Sequence, residues 1–173
     1  MPATMNMAAS ILPSFDQVIA GTRKHLESIP DDRLGWRPHP KSYTIGELGS
    51  HLANLPNWTV VTLEQDSFDV APPGEEQPRA EVLESSAAMV AALDESAAKA
   101  RAVIENTSDE AFMGTWSLIA GGEEKFTLPK MAVVRLFVLD HMIHHRGQLT
   151  VYLRLLDVPV QQTFGPTADF PDM

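Results

Sequence analysis

The sequence predicts an all-α protein of four helices, and three features carry that prediction. Apolar residues recur at helical spacing, helix-start signals open two of the segments, and proline or glycine clusters separate them. With 173 residues, 44% of them hydrophobic, the chain can bury about 70% of its unfolded surface. One core is enough, so residues 1–173 read as a single domain.

The first helix falls within residues 8–29, where Ile11, Leu12, Phe15, Val18, Ile19 and Leu26 share roughly helical spacing. Pro13 argues that the helix proper begins near it, and Pro30, Asp31 and Asp32 end it. Thr44 followed three residues later by Glu47 is a capping-box pattern, and Leu48, His51 or Leu52, Leu55 and Trp58 follow on one face of the second helix. Residues 66–78, with Ala71-Pro72-Pro73-Gly74-Glu75-Glu76, read as an exposed crossover. The third helix runs from about Arg79 to Asn106, with Val82, Met89, Val90, Leu93, Ala97, Val103 and Ile104 inward. Met113 to Ile119 and Glu124 to Leu128 flank Ala120-Gly121-Gly122-Glu123, a short hairpin or ordered loop. It either forms a lid at a cleft mouth or caps the end of the bundle, and the capping role is favoured. Pro129 stands at a permitted first position for the last helix, which extends to Leu156.

That last helix holds His141-Met142-Ile143-His144-His145-Arg146-Gly147-Gln148. Val133, Phe137, His141, His145, Gln148 or Leu149, Tyr152 and Leu156 lie along one face, so His141 and His145 interrupt a mostly apolar stripe one turn apart. A single inward histidine is commonly a hydrogen-bonded core residue. Two in this arrangement each carry a desolvation cost and repel when protonated, and a bound cation removes both problems. His144, three residues after His141, competes for the ligand role, but it lies about 60° off the stripe and reads first as a neighbour of the site or a surface group. The best third donor is His51, on the core face of the second helix, with Glu47 a weaker alternative. His25 sits among Arg23, Lys24 and Glu27 on what reads as a solvated face, and His39 lies between two prolines in a loop.

Three histidines on two helices leave coordination positions open, which favours a catalytic site over a closed structural one. The chain has no cysteine, which excludes a cysteine-based zinc knuckle, an iron–sulfur cluster, a disulfide framework and a cysteine nucleophile. Met142 stands where a His-Glu-x-x-His protease would carry its general base. Three neutral imidazoles suit zinc, nickel, cobalt, iron and copper alike, and because availability often decides occupancy, zinc, nickel or iron is the divalent transition metal expected.

Charge narrows the partners. Thirteen basic against 23 acidic residues give a net charge of −10 with no Lys/Arg cluster, so nucleic acid and anionic membranes are poor partners. No apolar run spans a bilayer and the N-terminus lacks a secretion signal, so a cytoplasmic location is expected. Arg135, Arg146 and Arg154 could form a local pocket for one small anion. Arg146, beside His145, either reaches a substrate or packs at an interface with a carboxylate such as Asp140.

Four segments resemble the DinB/YfiT-like proteins, a family of candidate metalloenzymes: LGWRPHP (34–40), YTIGELGSHLANLPNW (43–58), DHMIHHRGQLTVYLR (140–154) and TFGPTADF (163–170). The resemblance implies an antiparallel four-helix bundle, often a homodimer, with metal in a cleft held by one histidine of the second helix and an H-x-x-x-H pair of the last. These map onto His51, His141 and His145, the set reached from the residues alone. It also implies either of two uses for the site. One is a metal-dependent transferase or isomerase acting on a small molecule with a low-molecular-weight thiol, or alternatively a hydrolase. The other is a non-catalytic metal-binding bundle. Trp58, Arg146, Gln148 and Tyr152 are candidate cleft-lining residues, although large residues on inward faces, such as Trp58 and Tyr152, more often belong to the core.

Overall fold

Asn6 opens α1 (Met7–Glu27), its side chain accepting a hydrogen bond from the Ala9 amide at 2.8 Å. The cap starts the helix ahead of Pro13, the expected beginning. Pro13 is carried inside on the exposed side, while Ala8, Ile11 and Phe15 bury the other. The computed structural model describes residues 6–74 and 81–172. The expected third-helix start at Arg79 and the crossover's Glu75, Glu76 and Pro78 therefore lie outside the described residues.

Both arms of the capping box form at the start of α2 (Ile45–Asn54): the Glu47 amide donates to Thr44 Oγ1 at 3.0 Å and the Thr44 amide to Glu47 Oε2 at 2.6 Å. Sequence periodicity predicts one helix to Trp58, but Pro56 has no N–H for the ladder. The chain breaks there and resumes as α3 (Asn57–Glu64). Ser85 caps α4 (Ser86–Asn106), and Ser108 caps the short α5 (Asp109–Met113). Helix α1 packs along α4, and α2 and α3 also pack on α4. Phe15, Leu26, Leu48, Leu52, Met89, Leu93 and Ile104 share one core, each contributing about 1.5–3 kcal/mol by burial. A Cβ at Gly49 would lie 2.6 Å from Met89 Sδ and 2.8 Å from Ile29 Cδ1, so glycine lets these two side-chain ends pack directly on the α2 backbone, and a larger residue would displace them.

The all-α expectation is corrected by a three-stranded mixed sheet in the order β1-β2-β3. Strand β1 (Ser67–Asp69) lies in the segment read as an exposed crossover and pairs in parallel with β2 (Thr115–Ala120), which pairs antiparallel with β3 (Glu123–Pro129). Gly121 (φ 67°) and Gly122 (φ 79°) turn the hairpin in the left-handed region that glycine enters without steric cost. Asp69 fastens this turn to β1, accepting from the amides of Ala71 at 2.9 Å, Gly121 at 3.2 Å and Gly122 at 2.9 Å. Trp116 and Leu118 face Leu128 and Phe126 across the hairpin, giving it one apolar face.

The last helix is not uniform either. It opens as α6 (Lys130–Val133), widens into a π-helical segment over Val134–Asp140, and continues as α7 (His141–Leu155). Lys130, with a side chain 9% exposed, pairs with Asp66 at 3.0 Å and ties this helix to the end of α3. Helix α7 packs against α1 and α2. Among the described residues, no helix is long and apolar enough to cross a membrane.

Candidate metal centre

The π segment delivers His141 as the first residue of α7, and His145 follows one turn later on the same face. His51 projects from the last turn of α2. His141 Nε2 lies 2.8 Å from His145 Nε2 and 3.4 Å from His51 Nε2, and one donor atom from each of the three falls within 4.8 Å of the others. Two nitrogens each about 2.0–2.1 Å from one ion are separated by similar distances at bond angles of about 90–110°.

Outer hydrogen bonds fix the tautomers. His141 Nδ1 lies 3.3 Å from the Phe137 carbonyl and His145 Nδ1 2.8 Å from Gln148 Oε1. Both partners are acceptors, so each Nδ1 carries the proton and each Nε2 presents a lone pair. Two such lone pairs at 2.8 Å repel unless a cation lies between them, and in that respect the residues fit a metal.

The charge state agrees. Burial, followed by the neighbouring His145 and His141, pushes His51 down to about 4. Burial also lowers His141 and His145, opposed by their bonds to Phe137 and Gln148. All three are therefore neutral near pH 7, the form that ligates metal.

One side of the cluster opens into an apolar cavity of about 280 Å³. His51 and His141 form its histidine edge; Trp58, Val133 and Phe137 line it from the helices, and Val70, Trp116, Leu118 and Phe126 from the sheet and its approach. Phe137 stacks on Phe126 with centroids 4.8 Å apart at 11°. The hairpin thus walls the cleft, contrary to the favoured reading that it caps the bundle end. Helical periodicity marks Trp58, but it does not reach Trp116, Leu118 and Phe126, which lie on the hairpin strands. Their only signal was the i, i+2 alternation of a strand pair placed just before the histidine helix.

The other candidates fall elsewhere. Gln148 holds His145 and does not line the cavity. Arg146, 3% exposed, turns away from the cluster: Nη1 donates to the Val18 carbonyl at 3.1 Å, and its guanidinium lies 5.4 Å from the centroid of the Phe164 ring. A carbonyl and a ring, not Asp140, receive it, and Arg154 pairs with Asp169, so no three-arginine pocket forms. Tyr152 is buried edge-on to Trp36 and donates to the Tyr43 carbonyl at 3.2 Å, outside the cavity wall. His144 is exposed beside His145. His25 is fully buried, contrary to its expected solvated face, because α7 and the C-terminal tail pack over that part of α1. Tyr43 stands at the exposed rim, its ring 6.1 Å from His51 and 6.5 Å from His145.

These elements define a helical protein with a small sheet and three histidines placed to hold a metal. The profile of the DinB superfamily matches residues 14–149, and the chain belongs to that superfamily. Its fold is similar to that of a DinB-like protein from Bacillus cereus ATCC 10987, at 18% identity and a TM-score of 0.70, over 92% of this chain and 99% of the other. It is likewise similar to the DinB-like protein YjoA of Bacillus subtilis, at 20% identity and a TM-score of 0.65, over 94% and 99% of the two chains. No curated protein matches the sequence.

Proposed function

We propose that the protein is a metal-dependent enzyme in which His51, His141 and His145 hold zinc, nickel or iron, and that it transfers or isomerises a small electrophile with the help of a low-molecular-weight thiol. One observation carries this reading: three neutral imidazoles converge, and two of them, His51 and His141, stand at the edge of a preformed apolar cavity. The cation, when bound, supplies a Lewis acid that lowers the pKa of a thiol's sulfur. The protein's own residues do the rest. Gln148 and the Phe137 carbonyl keep the Nε2 lone pairs of His145 and His141 directed inward, and the aromatic wall excludes water from the electrophile.

Hydrolysis by a metal-bound water is the alternative that the same ligand set permits, although among the described residues the cavity wall offers no carboxylate, lysine or tyrosine hydroxyl to assist it. A thiol, with an ordinary pKa of about 8.5, needs far less help than water.

Metal analysis of untagged protein and of its His51→Ala, His141→Ala and His145→Ala variants tests the reading. Stoichiometric metal in the parent, lost in each variant with helix content retained, is expected. Cobalt-substituted protein should then develop sulfur-to-cobalt charge-transfer bands when titrated with glutathione or a similar thiol. Full metal retention in the variants would refute the ligand assignment, and a metal indifferent to every thiol would refute the transferase.

A further inference from the structure

We infer that a second copy of this chain docks on the outer face of α7, the two α7 helices running antiparallel with the two-fold axis at Gly147. The inference goes beyond the proposed function and is independent of the chemistry at the histidines.

The shape of the face comes first. Helix α7 packs its inner side on α1 and α2. On its outer side Asp140, Ile143, Gly147, Val151 and Arg154 fall within about 40° of one line, because each residue turns the helix by about 100°. All five are exposed. Ile143 is 36% and Val151 57% exposed, and Leu136 and Leu155, at 50% and 57%, extend the apolar surface toward its two ends. A contiguous exposed apolar patch with polar residues around it marks a protein–protein contact.

Gly147 and the charges select the occupant. After proline, glycine is the least favourable residue inside a helix, and a Cβ here would meet nothing within 4 Å, so packing within the chain does not call for it. A second backbone passing close outside does. Helices packed at an axial separation of about 8–10 Å would bring the two Gly147 Cα atoms to about 5 Å. In an antiparallel pair centred on Gly147, equal steps in opposite directions face one another, so Ile143 meets the partner's Val151 and Asp140 meets the partner's Arg154. Apolar then faces apolar and acid faces base, with Arg154 keeping its bond to Asp169. The wider charge balance agrees. The whole chain carries 13 basic and 23 acidic residues, so two copies repel across most of their surface, whereas Lys130 to Leu156 carries four basic residues and one acidic.

Sedimentation equilibrium of the untagged full chain tests this. The parent should show twice the 19.0 kDa chain mass. Ile143→Glu and Val151→Glu, which place a charge in the apolar contact of both copies, should each halve that mass with helix content unchanged. Because the chain has no cysteine, a single introduced thiol reports position directly. Gly147→Cys should crosslink to itself nearly completely on mild oxidation, since Cα atoms about 4.4–6.8 Å apart accept a disulfide. Ala102→Cys, exposed on α4, should stay uncrosslinked. A parent that is monomeric at every concentration would overturn the inference and leave the face to a partner of another kind. A dimer that survives both glutamate variants, or that crosslinks no better at position 147 than at 102, would place the contact on another face and overturn it equally. Should a glutamate variant fail to fold, the two cysteine variants still decide.

Discussion

Gln148 decides which nitrogen of His145 is available, although it forms no part of the cavity wall. Its Oε1 accepts from Nδ1 at 2.8 Å, and without it the ring can rotate or place its proton on Nε2. Gln148→Leu keeps the volume and removes the acceptor, and should weaken metal affinity by about 10–100-fold with unchanged helix content. A competition titration with a chromophoric chelator measures this; parental affinity in the variant would show that the contact does not orient the ligand. His141 has a backbone acceptor, the Phe137 carbonyl, which no side-chain substitution deletes. The two ligands of one helix are thus held by different means, and only one of them is open to this experiment.

At the scale of elements, Asp69 joins the sheet to the hairpin turn. One carboxylate receives three backbone amides, those of Ala71, Gly121 and Gly122, and they hold its pKa below the ordinary range. Because the folded value is depressed, the contribution is present above the unfolded value of about 4 and is lost as pH falls through the folded one. Asp69→Ala should speed amide exchange at Gly121, Gly122 and along β2 and β3 while leaving α1 and α4 unchanged; uniform protection in both would disprove the clamp. Nothing in the local sequence announces this link. Asp69 is followed by a proline-rich stretch and reads as a linker, and the strand it belongs to exists only because β2 arrives from residues 115–120 to pair with it. The long helices were legible because their apolar faces repeat locally, and His51, His141 and His145 because they interrupt those faces. The break at Pro56 was legible in principle from its missing N–H. The π segment was not, since residues 134–140 carry an ordinary helical pattern and nothing in it distinguishes this stretch, which packs against α3 and stacks Phe137 on Phe126 of the hairpin.

Across the whole molecule, four histidines have their pKa values lowered by burial: His25, His51, His141 and His145. For a base, a lowered folded value means that the unfolded chain takes up its proton first. Above about pH 6.5 both states are neutral and nothing is lost, whereas below it the unfolded state binds more protons and stability falls with pH. The window for His51 extends from about 6.5 down to about 4. Each fully discriminated proton is worth about 1.4 kcal/mol per pH unit, and the half-buried triad contributes less because solvent screens it. Ordinary carboxylates titrate lower, so the interval from pH 7.5 to 5.0 isolates the histidines. The urea midpoint of metal-free protein should therefore fall across that interval. Metal adds a second, separable effect. At about 100 times its dissociation constant it should stabilise the fold by about 2.7 kcal/mol, raising Tm by about 5–10 °C for a chain of this size. The rise should vanish in His141→Ala, whereas the acid sensitivity contributed by His25 should persist there, because His25 is buried in α1 beneath α7 and the tail and takes no part in the cluster. A urea midpoint unchanged between the two pH values would show that these histidines are solvated in the native state, and an equal metal-induced rise in His141→Ala would place the metal elsewhere.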